Sequence, residues 1–281
     1  MKKSWLLNKK VLISGASGGL GLAISKLLIE KYDCKILGLA RNEQKLINAK
    51  NSLGAKKDNF DYLVMDVSNA ENWKNLTNFL TSKNFSPDVL INNAGFMLNF
   101  AKFDKYTDLE IEEIINTNFK SCVYSVKYLL PLLKQSKTPA IINVASAAGL
   151  CAVVGQSMYC ATKFAVKGFT ESLQQDYKKQ IFVAGIYPGF IRTNILNRQS
   201  VDTKNNKLIN KLMMPVEKAS KKIVRGIAKH KKRIVMGFDG QSMNIFGRFF
   251  PKFTPSIIRS VLKASKLELF NDVFEYNKDT K

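Results

Sequence analysis

Short runs of apolar residues alternate with longer amphipathic segments along most of this chain, and the alternation constrains its fold more than any other feature. The apolar runs are rich in Val, Ile and Leu and are predicted to be buried strands at residues 11–14, 35–39, 62–65, 89–91, 140–144 and 182–187, with a further candidate at 233–236. Strands that are apolar throughout and separated by helices are typical of a parallel sheet covered on both faces.

The segment after the first strand shows the helical pattern most clearly. Its apolar residues recur at i, i+3, i+4, i+7 and i+8, the spacing of one helix face, as Leu20, Ala23, Ile24, Leu27 and Leu28. The chain is therefore predicted to be an α/β protein with a doubly wound parallel sheet. We expect one domain at residues 8–240 and a C-terminal helical extension at 241–281, with the polar stretch 194–211 forming a long loop or lid.

The histidine and cysteine content excludes several kinds of catalytic site. His230 is the only histidine, so Ser–His or Cys–His catalysis would depend on one residue, and a zinc site with several histidine ligands is excluded. The cysteines form no CxxC pair and indicate reduced thiols in a cytoplasmic protein; they are Cys34, Cys122, Cys151 and Cys160. No metal site is expected. The apolar run near the N-terminus is too short for a signal peptide.

The chain carries a large excess of positive charge. It has 44 Lys and Arg residues against 22 Asp and Glu residues, a formal net charge of +22. Such an excess favours contact with polyanions such as nucleic acid, an anionic membrane surface or a phosphorylated cofactor. A lysine-rich bias of the proteome explains the same charge without any partner, because Asn and Ile are abundant as well.

A glycine-rich segment joins the first predicted strand to the first predicted helix. Glycines at such a point let the backbone approach a pyrophosphate, which the N–H groups and the dipole of the helix N-terminus stabilise. The glycines do not have the GxGxxG spacing of the most common fingerprint, but the strand before them and the helix after them indicate a dinucleotide site. The candidate contacts are Gly15, Ser17, Gly18, Gly19, Leu20 and Gly21.

The end of the second predicted strand favours NADP(H) over NAD(H). In NAD sites, an acidic residue about 20 residues past the glycine loop binds the ribose 2′-hydroxyl. This chain has no carboxylate there and offers Arg41 instead. Arginine forms charge-assisted hydrogen bonds with a 2′-phosphate, which a carboxylate would repel. The alternative is that Arg41 is only a solvated loop residue.

Tyr159 and Lys163 are four residues apart, so they share one face of a predicted helix. Ser146 follows the strand at 140–144, at the carboxyl end where sheets of this kind bind ligands. A tyrosine with a pKa of about 10 is a poor proton donor near pH 7, but a neighbouring cation stabilises the phenolate and lowers the pKa. We expect Lys163 to supply this cation, assisted by the positive nicotinamide of an oxidised cofactor.

These residues occur in the order and spacing of the classical short-chain dehydrogenases/reductases, which the chain resembles over residues 8–240. Besides the glycine loop, the motifs that carry the resemblance are Asn92-Asn93-Ala94-Gly95, Asn118, Ser146, Tyr159 with Lys163, and Pro188-Gly189. The resemblance implies a Rossmann fold, the cofactor NADP(H) and hydride transfer to or from the carbonyl group of a small molecule. It also implies a homodimer or homotetramer.

The resemblance further implies a role for each residue at the reacting end. Tyr159 would be the acid/base, and Lys163 would also hold the hydroxyls of the nicotinamide ribose. Ser146 would hydrogen-bond the substrate oxygen. Asn118 would anchor a water that relays protons from Lys163, although a polar residue satisfied by the backbone inside a helix is an equal alternative.

Other cofactor contacts are implied by the resemblance alone. Asp66 would accept a hydrogen bond from the adenine amino group, with Val67 beside it; a carboxylate at a helix N-terminus is the alternative for Asp66. Gly18 stands where many NADP-preferring members carry a basic residue, so Arg41 would have to discriminate largely alone. The remaining contacts are Asn93, Ala94 and Gly95 on the adenosine side, where they also brace the central strand, and Pro188, Gly189, Ile191 and Thr193 at the carboxamide.

The C-terminal part mixes aromatic, aliphatic and basic residues, and Pro251 and Pro255 are predicted to divide it into two short helices. Such a mixture suits a segment lying on an anionic membrane. It suits equally a lid over the pocket or a contact with a second subunit. Either arrangement favours a hydrophobic substrate such as a lipid-like ketone or aldehyde.

Two other functions compete with an oxidoreductase. A non-catalytic NADP(H)-binding regulator would be expected to lack one of the four reacting-end residues, and all four are present. A nucleic-acid binder is supported only by the net charge, since the chain shows no helix-turn-helix pattern or aromatic RNA-binding motif. No specific nucleic-acid partner is therefore expected.

Overall fold

A computed structural model describes residues 4–193 and 213–274. Its centre is a sheet of seven parallel strands in the order β3-β2-β1-β4-β5-β6-β9. These strands are β1 Lys10–Ser14, β2 Lys35–Ala40, β3 Phe60–Val64, β4 Val89–Asn92, β5 Ala140–Val144, β6 Phe182–Pro188 and β9 Arg233–Met236. A separate two-stranded sheet pairs β7 Ile191–Arg192 with β8 Met214–Pro215. The predicted strands are confirmed with small shifts at their ends, and the doubly wound Rossmann fold is confirmed.

Helices cover both faces of the sheet. They are α1 Gly19–Tyr32, α2 Glu43–Asn51, α3 Ala70–Ser82, α4 Asp108–Ile115, α5 Ser121–Leu133, α6 Ser157–Asp176, α7 Val216–Ala228, α8 Phe238–Phe249, α9 Thr254–Ala264 and α10 Asn271–Phe274. Local sequence sets several of their starts. Asn42 and Asn69 cap α2 and α3 through their side chains, and Thr107 with Glu110 forms a capping box on α4.

Each face of the sheet has its own core. On one face, Ile24 and Leu28 of α1 and Ile223 of α7 pack against alternate residues of the strands. On the other face, Trp73 of α3 and Leu129 of α5 are fully buried with the side chains of the intervening strand positions. Because β4 and β5 are buried along their whole length, their residues are apolar except for Asn92 and Asn143.

The lone histidine and the cysteines have structural surroundings. His230 follows α7, and its ring lies 4.8 Å from that of Trp5 and 4.9 Å from that of Phe182, centroid to centroid. The four cysteines are buried free thiols, as the reduced state predicts. None of the described helices has the length and apolar character needed to cross a bilayer.

The C-terminal part contains the two predicted short helices, α8 and α9, with Pro255 in the first turn of α9. The predicted domain boundary at residue 240 falls inside α8, and the division itself stays a prediction. Beyond α9 the chain packs back on the protein, where the rings of Phe270 and Phe100 meet edge to face at 4.9 Å. The predicted loop at 194–211 lies outside the described residues.

Trp73→Ala is expected to destabilise the fold by about 3–5 kcal/mol. The change removes a fully buried indole and its hydrogen bond from Nε1 to the Val67 carbonyl oxygen at 2.8 Å. Urea unfolding followed by circular dichroism measures the loss. The matched control is Phe79→Ala on the same helix, whose side chain is 49% exposed. Equal losses in the two variants would show that the α3 core does not hold this face of the sheet.

Candidate active site

A cavity of about 370 Å³ opens at the carboxyl ends of β1 and β4, where the strand order reverses. Such a reversal separates the loops that follow the two strands and leaves a crevice between them. Most of the residues predicted to bind the cofactor line this cavity: Gly15, Ser17, Gly18, Gly19, Leu20, Asn93, Ala94, Gly95, Tyr159, Lys163, Pro188, Gly189, Ile191 and Thr193. Ser146 lines it as well. Gly21, Arg41, Asp66, Val67 and Asn118 are not among the lining residues.

The glycine loop has the backbone form that a dinucleotide site needs. Gly15 and Gly19 have φ values of +69° and +52°, which side-chain-bearing residues rarely adopt. A β-carbon on Gly15 would lie 2.9 Å from Asn93 Nδ2, and one on Gly21 would collide with the Gly15 carbonyl oxygen. Gly18 precedes α1 without capping it, and the first turn of α1 has no acidic residue. The helix N-terminus therefore offers its dipole and N–H groups to a diphosphate, so these residues fit the cofactor.

Asn93 joins this loop to the neighbouring strand end. Its Nδ2 donates to the carbonyl oxygens of Ser14 and Gly15 at 3.0 and 3.3 Å. The backbone N–H groups of Asn93 and Ala94 both donate to Ser14 Oγ at 3.0 Å. Asn93 thus braces the central strands, the structural role that the sequence predicted for it. Ser14 was not predicted, because a serine that ends a strand carries no sign of its partners.

Two cations lie near the predicted adenosine end. The Arg41 side chain is 58% exposed, and its Nη1 lies 3.8 Å from Glu113 Oε1. Lys45, in the first turn of α2, lines the cavity itself. Lys45 was not predicted as a cavity residue, because it lies one helix turn beyond the strand end and only the fold sets the direction of that turn.

Asp66 has a hydrogen-bonding role within its own turn. Its Oδ1 accepts from the backbone N–H of Ser68 at 2.9 Å and from Ser68 Oγ at 2.8 Å. The side chain remains exposed. Val67 is buried, and its carbonyl oxygen accepts the bond from Trp73. The cap of α3 is Asn69, so Asp66 does not cap that helix. Adenine contact by Asp66 and Val67 stays a prediction.

The reacting end is built on α6 and the end of β5. Tyr159 and Lys163 share one face of α6 and are 6% and 4% exposed. The Lys163 ammonium lies 5.6 Å from the centre of the Tyr159 ring and donates to the Val144 carbonyl oxygen at 3.1 Å. Ser146 hydrogen-bonds Tyr159, and its Oγ also accepts from the backbone N–H of Ala148 at 3.1 Å. The structure therefore brings Ser146, Tyr159 and Lys163 together.

Burial shifts the pKa values of both titratable groups. It raises the pKa of Tyr159 to about 12, against the opposing effect of the Ser146 hydrogen bond. It lowers the pKa of Lys163 to about 8. The expectation that Lys163 lowers the pKa of Tyr159 is therefore not met in the protein without cofactor. The physical reason is that desolvation penalises the phenolate more than the ammonium 5.6 Å from the ring stabilises it.

Asn118 lies in a π-helical turn, Asn116–Lys120, between α4 and α5. Its Oδ1 accepts from the Phe96 N–H at 2.9 Å and its Nδ2 donates to the Phe96 carbonyl oxygen at 2.9 Å. The side chain is thus satisfied by the backbone, as the alternative interpretation predicted. It still borders the reacting end, since a β-carbon on Gly95 would lie 3.1 Å from Asn118 Oδ1 and 3.3 Å from Lys163 Nζ. The water-anchoring role stays a prediction.

The turn after β6 is locked to α8. A β-carbon on Gly189 would collide with the Asp239 carboxylate, which accepts from the Phe190 N–H at 2.6 Å. Burial raises the pKa of Asp239. Asp239 also lines the cavity, and it was not predicted because its contact joins segments that are far apart in the chain.

The far end of the cavity is mainly apolar, lined by Phe96, Met97, Phe100, Val153 and Met243. Gln156, one turn before Tyr159 and 1% exposed, also lines it. Its Nε2 donates to the Leu98 carbonyl oxygen at 2.9 Å, and its Oε1 has no hydrogen-bond partner among the described residues. Because the Leu98 carbonyl can only accept, the amide orientation is fixed. A donor on a bound molecule would satisfy Oε1.

A buried polar network holds the reacting end against the sheet. Asn92 Nδ2 on β4 donates to Asn143 Oδ1 on β5 at 2.9 Å. Ser125 Oγ of α5 donates to Asn92 Oδ1 at 2.7 Å, and Asn143 Nδ2 donates to Thr170 Oγ1 of α6 at 3.0 Å. These four side chains are at most 6% exposed, so the network fixes the positions of both helices.

The chain is similar in sequence to a known protein family and to a curated relative. The family model described as short chain dehydrogenase matches residues 9–204. A protein of Mycobacterium tuberculosis that is named as an oxidoreductase, SadH, is 32% identical over 258 residues, which cover 85% of this chain and 90% of that protein.

Solved structures with the same fold contain either nicotinamide cofactor. The closed form of a serine dehydrogenase complexed with NADP⁺ is 27% identical with a TM-score of 0.73, covering 81% of this chain and 94% of that chain. A short chain dehydrogenase/reductase from Burkholderia phymatum in complex with NAD is 21% identical with a TM-score of 0.72, covering 83% of this chain and 90% of that chain. The second likeness shows the fold alone.

Lys163→Met is expected to remove a pH dependence from the free energy of unfolding. The pKa of Lys163 is about 8 in the folded protein, against an ordinary value of 10.5. Between these pH values the unfolded chain binds the extra proton, so the contribution of Lys163 to stability rises as pH increases. This contribution should grow by about 2 kcal/mol between about pH 7.5 and about pH 9.5. Burial raises the pKa of the cysteine thiols, which acts in the opposite direction in wild type and variant alike, so the prediction concerns the difference in free energy of unfolding between the two proteins.

Urea unfolding of wild type and variant at the two pH values measures this difference. The control variant is Lys137→Met, whose side chain is exposed and which should keep the wild-type pH dependence. If Lys163→Met also keeps it, another group titrates in this range and the buried ammonium is not responsible.

Proposed function

The chain belongs to the short-chain dehydrogenase family and is an oxidoreductase of that family, and from this premise we propose that it interconverts an apolar ketone or aldehyde and its alcohol with NADP(H), using Tyr159 as the acid/base. The single observation that carries the proposal is the meeting of Tyr159, Lys163 and Ser146 beside the glycine-loop cavity. Bound NADPH would supply a hydride to the carbonyl carbon.

The side chains at the reacting end suit the proton chemistry of this reaction. Negative charge grows on the carbonyl oxygen during reduction, and the Tyr159 hydroxyl gives that oxygen its proton, which completes the alcohol. The hydroxyl of Ser146 donates a hydrogen bond to the same oxygen and so stabilises its charge. Phenol and hydroxyl are already within hydrogen-bond reach of each other, so one oxygen atom can contact both.

Lys163 offsets the charge that the reaction leaves on Tyr159. The phenolate lies in a buried position that raises its pKa, so it needs a nearby cation. With a pKa of about 8, Lys163 is mostly protonated at pH 7 and supplies that charge. Asn118, near the same glycine as Lys163, would anchor the water through which the proton is replaced.

The walls of the cavity favour a lipophilic substrate. The far end carries three aromatic or methionine side chains of one loop, those of Phe96, Met97 and Phe100. Met243 of α8 and Val153 line the same cavity. A carbonyl compound with an apolar chain would bury that chain here, at a gain of about 25 cal/mol per Å² of apolar surface.

Preference for NADP(H) is proposed from the positive charge at the adenosine end. Arg41 and Lys45 both lie there, one exposed and one on the cavity wall. Two cations suit a 2′-phosphate better than the uncharged ribose of NAD. The similar serine dehydrogenase was solved with NADP⁺, which agrees with this assignment.

Two alternatives have less support. A cofactor-binding regulator would not need Ser146 hydrogen-bonded to Tyr159 and the Lys163 ammonium 5.6 Å from the centre of the Tyr159 ring, and both features are present. A nucleic-acid binder is supported only by the net charge of +22, because the sequence contains no helix-turn-helix pattern or aromatic RNA-binding motif.

Tyr159→Phe is expected to lower kcat/KM by about 10²–10⁴-fold, because it removes only the proton donor. NADPH should bind as to the wild type, which its fluorescence change on titration measures. Turnover is followed by NADPH oxidation with a panel of apolar ketones and aldehydes. Tyr62→Phe on β3, away from the cavity, is the control. Wild-type turnover in Tyr159→Phe would refute the proton-donor assignment.

Arg41→Asp is expected to reduce the ratio of kcat/KM with NADPH to that with NADH by about tenfold or more, since the carboxylate repels the 2′-phosphate. Lys45→Ala should change the ratio in the same direction. Arg225→Asp on the exposed face of α7 makes the same charge change elsewhere and should leave the ratio unaltered. Should the ratio stay constant in Arg41→Asp and Lys45→Ala, another group reads the phosphate.

A further inference from the structure

Exposed apolar side chains cluster on the outer surface of the C-terminal helices. Within the described residues, 14 large apolar side chains are exposed, and eight of them lie between residues 238 and 261. A cluster of this kind on a water-soluble surface marks an interaction site, whereas single exposed side chains do not. We call this cluster the apolar strip; its members are Phe238, Ile245, Phe246, Phe249, Phe250, Phe253, Ile257 and Val261.

The strip is distinct from the faces with which α8 and α9 contact the protein. Phe253, Ile257 and Val261 recur every four residues and form one row along α9, each at least 61% exposed. Thr254 of the same helix is buried, and Leu262 packs against the core cluster near the cavity. The inner faces therefore fold the helices onto the protein, while the strip faces outward.

Cations surround the strip, and the one carboxylate within its sequence span, that of Asp239, is turned toward the cavity, where it accepts from the Phe190 N–H. Residues 240–266 contain five Lys and Arg residues and no Asp or Glu. All five side chains belong to exposed residues: Arg248, Lys252, Arg259, Lys263 and Lys266. Aromatic and aliphatic side chains mixed with cations fit the boundary between anionic lipid headgroups and acyl chains.

We propose that the apolar strip docks this protein on the surface of an anionic lipid bilayer. The bilayer matches both properties of the surface, since headgroups pair with the cations and the acyl boundary accepts Phe249, Phe253 and Ile257. A second copy of the chain matches only one, because it would bring the same five cations against their equals. Docking is peripheral, since none of the described helices could span a bilayer.

Docking would place the substrate cavity next to the lipid. Helix α8 carries the strip on one side and the cavity wall residue Met243 on the other. The inner face of α8 packs closely on the segment that contains Cys151, because a β-carbon on Gly247 would lie 3.1 Å from Cys151 Cβ. A lipophilic carbonyl compound dissolved in the bilayer thus has one helix between it and the cavity. This part of the inference rests on the proposed function; the docking itself does not.

Vesicle flotation with the full-length protein tests the docking. Vesicles of phosphatidylcholine alone are compared with vesicles containing about one third phosphatidylglycerol, each at low and high salt. We expect binding to the anionic vesicles at low salt, with at least tenfold weaker partitioning to neutral vesicles and marked weakening at high salt.

Two pairs of variants separate the strip from general surface properties. The triple variant Phe249→Ser, Phe253→Ser, Ile257→Ser should lose about tenfold or more of its partitioning. The triple variant Phe79→Ser, Phe103→Ser, Leu109→Ser removes exposed apolar side chains elsewhere and should bind like the wild type.

The second pair tests charge. The double variant Arg248→Glu, Lys252→Glu should bind anionic vesicles more weakly than the double variant Lys57→Glu, Lys137→Glu, although the two variants have the same net charge. Circular dichroism and urea unfolding confirm that each variant is folded.

The proposal is overturned if the wild type does not float with anionic vesicles at low salt, or if strip and control variants float equally. It is also overturned if the protein is a dimer without lipid that the strip variant dissociates, since the strip is then a subunit contact. Flotation needs no turnover, so a failure of docking and a failure of the NADPH oxidation assay are separate results.

Discussion

The buried Lys163 ammonium is the interaction on which the reacting end depends. It lies in a 4% exposed position and donates to the Val144 carbonyl oxygen, and desolvation lowers its pKa to about 8. The same burial raises the pKa of Tyr159 to about 12. A tyrosine in that state holds its proton firmly. Chemistry at this phenol therefore requires that positive charge be held close by, and the fold has to fix that charge in place.

The rest of the structure fixes the position of this positive charge. The Asn92–Asn143 pair joins two central strands and extends through Thr170 to α6, the helix that carries Tyr159 and Lys163. Asn93 joins the glycine loop to the same edge of the sheet. The polar groups of the site are thus held through strands that are themselves fully buried, and a polar network of this kind is stable because each member is satisfied.

The local features of the structure were predictable from the sequence, and the contacts between distant segments were not. The strands, the helix face shared by Tyr159 and Lys163, and the glycine loop follow from periodicity and spacing, which are local properties. Lys45, Gln156 and Asp239 reach the cavity through folding that brings distant segments together, so no spacing revealed them. The pKa of Tyr159 shifted opposite to the expected direction, because the cost of burial depends on how completely the fold removes solvent. Gly18 and Arg41 were predicted as cofactor contacts from their positions in the sequence alone. That the Lys45 cation lies near them at the cavity is apparent only from the three-dimensional structure.

An ultraviolet titration of the Tyr159 phenol, taken as the difference between wild type and Tyr159→Phe with and without NADP⁺, measures the effect of positive charge on this group directly. Without the cofactor, we expect a pKa of about 12. With NADP⁺ present, the positive nicotinamide joins Lys163 in stabilising the phenolate, and the pKa should fall by about 3 units or more. A phenol that titrates near 12 in both states would contradict the claim that positive charge held beside Tyr159 makes it the acid/base of this protein.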